Sequence, residues 1–109
     1  MGATSAALLS PDDASAKIES GDVEILDVRT PEEYAQGHIE GATLVDFYEP
    51  GFADRIAELD RDREYVVYCR SGNRSGQATA IMADQGFSTV NDVEGGIVAW
   101  EAAGLPVIR

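Results

Sequence analysis

One cysteine (Cys69), one lysine (Lys17) and one histidine (His38) are all that this chain of 109 residues holds of those three types. A lone thiol closes no internal disulfide and builds no thiolate metal cluster, so neither a disulfide framework nor a metal site is expected. Nor does any apolar run approach the roughly 20 residues that a membrane-crossing helix requires. Positive charge is scarce: eight Lys and Arg stand against twenty Asp and Glu, a formal net charge of −12. Nucleic acid is thereby disfavoured as a partner, because phosphate backbones are held by clustered cations. The opening MGATSAALLS lacks the basic start and long apolar stretch of a secretory signal, and Ala6 stands where a myristoylation pattern wants Ser or Thr. The expected location is the cytoplasm, with a trimmed exported protein as the alternative.

A chain of this length makes one domain around a single layered core, with residues 1–9 expected to form a flexible extension. Ser10, Pro11 and the acidic residues after them predict a helix over about 11–19. VEILDV at 23–28 is too continuously apolar for a surface strand and suits a covered parallel sheet. Thr30, Pro31 and Glu33 carry the pattern of a capping box, opening a short helix that Gly37 ends. ATLVDF, from Ala42, predicts a short strand, and FADRIAEL at 52–59 a helix with Phe52, Ile56 and Leu59 on one face. The strongest strand signal is YVVYC at 65–69. After it, Ser75 is the expected cap of an Ala-rich helix stopping at Gly86, FSTVNDV a further strand, and GGIVAWEAAG a terminal helix closed by Gly104. Strands alternating with short helices make an α/β domain with a mostly parallel sheet, whose ligands gather beyond the carboxyl ends of the strands. Cys69 sits at such an end.

Two of the seven arginines, Arg70 and Arg74, follow this cysteine closely, so positive charge concentrates where the chain is otherwise negative. A strand running into CRSGNRS and then a helix places the sulfur in a tight loop whose successive amides can point inward as an anion-binding nest. Gly72 permits backbone angles that a side chain would penalise. The positive end of the following helix, with Arg70 and Arg74, favours thiolate over thiol. An activated thiol beside an anion nest is suited to group transfer through a covalent cysteine intermediate. The bland alternative is a cysteine that merely ends a buried strand. His38 is expected to be a structural hydrogen-bonder, since a thiolate stabilised by amide dipoles needs no base.

Taken together, ILDVRTPEEYAQGHIEGA at 25–42, VVYCRSGNRS at 66–75 and GGIVAWEAAGLPV at 95–107 resemble, in order, the motifs of the single-domain rhodanese family over about residues 10–109. The resemblance implies a five-stranded, mostly parallel sheet with helices on both faces. It further implies that Cys69 accepts a sulfane sulfur from a small anionic donor such as thiosulfate and passes it, as a persulfide, to cyanide, a small thiol or a protein acceptor. No cofactor other than the covalent persulfide is implied. By the same likeness Arg70, Ser71, Gly72, Asn73, Arg74 and Ser75 form the loop around the persulfide, and Asp27 and Arg29 support it from the DVR element. Trp100 corresponds to an aromatic near the site, but is expected to be a core anchor. Gly95 and Gly96 are expected to allow close backbone approach.

Two other readings share these residues. Cysteine phosphatases on this fold carry one more residue between cysteine and arginine than the four found between Cys69 and Arg74, and Tyr68 stands where they commonly carry His. An arsenate reductase would use the same loop with an outside thiol. The remaining alternative is a sulfur-carrier or regulatory module serving a protein partner.

Overall fold

The computed structural model of the chain describes residues 6–109. Its elements run β1 (Ala7–Leu9), α1 (Pro11–Glu19), β2 (Val23–Asp27), α2 (Pro31–Gln36), β3 (Thr43–Leu44), α3 (Phe52–Ala57), β4 (Glu64–Tyr68), α4 (Asn73–Asp84), β5 (Thr89–Val93) and α5 (Gly96–Ala102). One parallel sheet, ordered β1-β5-β4-β2-β3, holds all five strands. The α/β architecture with helices on both faces is as expected. Strand β4, which leads to the cysteine, lies at its centre, paired through Leu26↔Val67 on one side and Val67↔Asp92 on the other.

Because side chains alternate across a strand, the centre of the sheet sorts its residues into two cores. Leu26, Val67, Cys69 and Val90 face α3 and α4, meeting Ile56, Ala78 and Met82. On the opposite face Ile25, Val66, Tyr68 and Val93 meet Ala14 of α1 and Ile97 and Trp100 of α5. Trp100 is an anchor of this second core, buried and donating its indole N–H to the Pro106 carbonyl at 2.9 Å.

Local signals placed most helix starts well. The Ser10 hydroxyl accepts from the Asp13 amide at 3.1 Å, and Thr30 and Glu33 complete their capping box. Three boundaries differ from expectation. Part of the flexible extension expected over 1–9 is strand β1, hydrogen-bonded along β5 in the register Leu8↔Asp92. Ala-Leu-Leu offers no β-branched signal, and the outer edge of β5 supplies the partner; residues 1–5 lie outside the described residues. In the ATLVDF segment only Thr43–Leu44 is strand, although Val45 and Phe47 still donate to the carbonyls of Asp27 and Val28. Helix α4 begins at Asn73 rather than after Ser75: Gly72, at φ +112°, is its N-cap, which frees the Ser75 side chain for another task.

Candidate active site

Cys69 follows the last residue of β4, at the carboxyl end of the central strand. The chain turns there immediately into α4, and two anchors hold the turn. The amides of Ile97 and Val98, at the start of α5, donate to the carbonyls of Cys69 (2.9 Å) and Arg70 (3.1 Å). Gly96 makes this approach possible: a Cβ on it would stand 2.4 Å from the Arg70 carbonyl oxygen and 2.6 Å from that of Cys69. The unpaired amides of the α5 terminus are therefore spent on the loop backbone, fixing where the sulfur sits.

The sulfur lies beneath the loop, its residue only 1% exposed. The Gly72 amide donates to Sγ at 3.1 Å, and the Ser75 hydroxyl oxygen lies 3.4 Å away. Burial pushes the thiol up, but the Ser75 hydroxyl and the amides of Ser75, Gly72 and Ser71 outweigh it and bring Cys69 below its ordinary value. The Gly72 amide points at the sulfur as expected of a nest. Cys69 does follow a buried strand and Arg70 is exposed, as the bland alternative has it, but the sulfur also has polar partners in the loop.

The two arginines act differently from the expectation that both charge the thiolate. Arg74 is committed elsewhere: its Nη1 and Nη2 donate to Glu33 Oε1 (2.7 Å) and Oε2 (2.9 Å), and its guanidinium lies 5.6 Å from the centre of the Tyr48 ring. The carboxylate of Glu33 simultaneously accepts from the Thr30 amide and hydroxyl, so one residue both caps α2 and holds α4 to it. The Arg74 partnership, foremost, lowers Glu33 from an ordinary 4.5 to about 2. Arg70 is exposed and forms no ion pair among the described residues. It lines a groove of about 170 Å³ together with Arg29, Glu33, Ile97, Val98 and Glu101. Ser71 and Asn73 are exposed on the loop's outer side.

Asp27 and Arg29 occupy the other face of the sheet from Cys69. The Arg29 guanidinium donates to Asp27 Oδ2 at 2.7 Å and to the Gly37 carbonyl at 2.7 Å. The Tyr68 hydroxyl donates to Asp27 Oδ2 at 2.7 Å and accepts from the Ile39 amide at 3.0 Å. This buried network ties the carboxyl ends of β2 and β4 together beneath the loop, and it makes no contact with the sulfur. His38 is stacked on Tyr34, with ring centres 3.7 Å apart and Nδ1 2.9 Å from the Tyr34 carbonyl. It forms no hydrogen bond with Cys69.

One participant was missed by the sequence reading. Asp92, 7% exposed on β5, accepts the Ser75 hydroxyl at 2.6 Å. The signal lay in TVNDV, where Asp92 puts a carboxylate beside Val93 at the carboxyl end of a strand expected to be covered. A larger hollow of about 280 Å³, lined by Glu24, Thr43, Glu58, Asp60 and Arg63, lies toward the amino ends of the strands, away from Cys69.

A parallel α/β sheet whose central strand delivers a buried cysteine into a loop that turns an amide toward the sulfur defines a domain built around a cysteine loop. The chain belongs to the rhodanese-like domain family, whose profile matches residues 10–103. It is 42% identical over 90 residues to a protein named sulfurtransferase from Allochromatium vinosum, covering 83% of this chain and 82% of that one. It is 40% identical over 94 residues to thiosulfate sulfurtransferase GlpE of Pseudomonas entomophila, covering 86% and 84%. Among solved structures, a rhodanese-related protein from Thermoplasma volcanium superposes with a TM-score of 0.83 at 32% identity, covering 94% of this chain and 97% of that one.

Proposed function

We propose that the protein is a sulfurtransferase that carries a sulfane sulfur on Cys69, taking it from a small anionic donor such as thiosulfate and passing it to cyanide or a thiol. The thiolate attacks the outer sulfur of the donor, the donor's S–S bond breaks with its electron pair leaving on sulfite, and a Cys69 persulfide remains. Attack by an acceptor thiolate on the terminal sulfur then regenerates the Cys69 thiolate. The observation that carries this reading is the amide of Gly72, 3.1 Å from Sγ, in a loop whose amides favour the anion over the thiol. The same donors suit the terminal sulfur of a persulfide, which is also anionic. Relatives bearing sulfurtransferase names at about 40% identity support the chemistry. The persulfide is the only carrier the reaction needs.

Intact-mass measurement after thiosulfate treatment tests this directly. Native protein is expected to gain the mass of one sulfur atom and to lose it on adding cyanide, while Cys69→Ser gains none. Turnover of p-nitrophenyl phosphate with no sulfur gain would replace this reading with the phosphatase one.

A further inference from the structure

The Ser75 hydroxyl has one proton and three neighbours: Asp92 Oδ1 at 2.6 Å, the Gly72 carbonyl at 3.3 Å and Cys69 Sγ at 3.4 Å. The shortest contact decides the direction, so the hydroxyl donates to Asp92 and its oxygen is left to accept the thiol S–H. That arrangement serves the thiol; the Ser75 hydroxyl can lower Cys69 only in the reversed arrangement, in which it donates to the sulfur. Once the sulfur is ionised, a single hydroxyl proton would lie between two anions, Cys69 and Asp92, both buried, where charges of one sign repel strongly. A concerted shift relieves the conflict.

We propose that Asp92 is a positioning residue that accepts the Cys69 proton through the Ser75 hydroxyl, so that the trio holds one negative charge that moves between carboxylate and sulfur. The inference rests on the sulfurtransferase reading and deepens it. The thiol proton passes to Ser75 Oγ, the original hydroxyl proton passes to Asp92 Oδ1, and the S–H electron pair stays on sulfur. The charge of the trio does not change. Ser75 then donates to the thiolate and accepts from the Asp92 carboxyl, so each hydrogen bond survives with its direction reversed. When sulfur leaves for the acceptor and the thiol is restored, the protons run back.

The surroundings suit a shared charge. Burial pushes the Asp92 carboxyl up, opposed by the Ser75 hydrogen bond. Strand β1 brings no ionisable side chain to Asp92, while Cys69 comes from the loop just after β4, and β4 itself brings, two pairs away along the strands, Tyr65, whose hydroxyl is bound to the Asp60 carbonyl. Helix α4 brings Arg74, which senses Cys69 but is held by Glu33, and at its far end the exposed Asp84. No cation is paired with Asp92 among the described residues.

Two titrations that need no sulfur transfer test the idea: iodoacetamide alkylation of Cys69 against pH, and carbon NMR of the Asp92 carboxyl. Strong sharing makes the thiolate appear in two steps belonging to the pair. Asp92→Asn is expected to leave one step, and Cys69→Ala to move the Asp92 titration downward by about one pH unit or more, roughly a tenfold change in its protonated-to-ionised ratio. Ser75→Ala retains both acids and removes the bridge. It is expected to raise the alkylation midpoint and to shrink the effect of Asp92→Asn made in that background. A single alkylation step in native protein, with an Asp92 titration indifferent to Cys69→Ala, overturns the proposal. So does an undiminished coupling in Ser75→Ala, which would reduce it to repulsion through space. Should Asp92→Asn not fold, the Cys69→Ala measurement decides alone. Loss of sulfur loading with the coupling intact would sink the sulfurtransferase reading and leave the shared charge standing.

Discussion

Glu33 and Tyr68 show how single side chains hold this site without touching its sulfur. Glu33 was legible as a capping residue, since its partner Thr30 is three positions away; its grip on Arg74, forty-one residues on, was not. Its carboxyl is depressed in the fold, so the stabilisation it gives is fully present above its unfolded value and is lost as pH falls through the folded one. We expect Glu33→Gln to cost roughly 1–3 kcal/mol near neutrality, with the gap to native protein closing between pH 4.5 and about 2. Urea midpoints of the two proteins across that range check it; a gap independent of pH would deny the ion pair its part. For Tyr68→Phe, the buried Ile39 amide loses its acceptor and Asp27 one donor, at about 1–3 kcal/mol. Such a loss should appear in thermal unfolding, while the alkylation profile of Cys69, on the opposite face, stays in place.

At the level of elements, the decisive contact is α5 against the loop. The glycine pair was readable as a place of close approach, but what approaches was not: the carbonyls of Cys69 and Arg70 lie twenty-six or more residues upstream of Gly96. At φ +63°, with backbone atoms 2.4 Å from an added Cβ, Gly96 has no tolerable substitute. Gly96→Ala is expected to cost about 2 kcal/mol or more through strain and displacement of α5, and to lower sulfur loading more than Gly86→Ala, where no atom lies within 4 Å of the new carbon. Because Gly86 also has positive φ, both variants share backbone strain, and the difference between them isolates the contact with the loop. Equal loss of loading in the two would place the loop's order elsewhere. The start of α4 carries the same lesson. Ser75 follows a glycine-containing turn and reads as a cap, yet it lies within the helix because Gly72 takes the cap and Asp92 takes the hydroxyl.

Over the whole molecule, charge sets the terms of encounter. A net charge of −12 repels an anionic donor at low ionic strength, and the ion pair of Arg74 with Glu33 leaves Arg70 as the exposed cation of the loop. Sulfur loading from thiosulfate is therefore expected to speed up as salt rises from about 10 mM to 150 mM, where the screening length falls to about 8 Å. Initial rates at fixed pH measure it, and a steady decline over that range would show that the local field of Arg70 outweighs the global one. No helix among the described residues is long and apolar enough to cross a membrane.

Local pattern carried what depends on near neighbours: the caps at Ser10 and Thr30, the central strand leading to Cys69, the glycine that lets the loop turn, and through its ordered motifs the family. Tertiary structure alone decided the rest. Ala7–Leu9 became a strand because β5 had an open edge, Arg74 was drawn to Glu33, α5 was pinned to the loop, and Asp92 was brought beneath Ser75. Capping and strand propensity act over three or four residues and leave their mark in local pattern. Pairing across a parallel sheet joins residues separated by a whole helix, and which carboxylate then meets which hydroxyl is fixed only when the register is set.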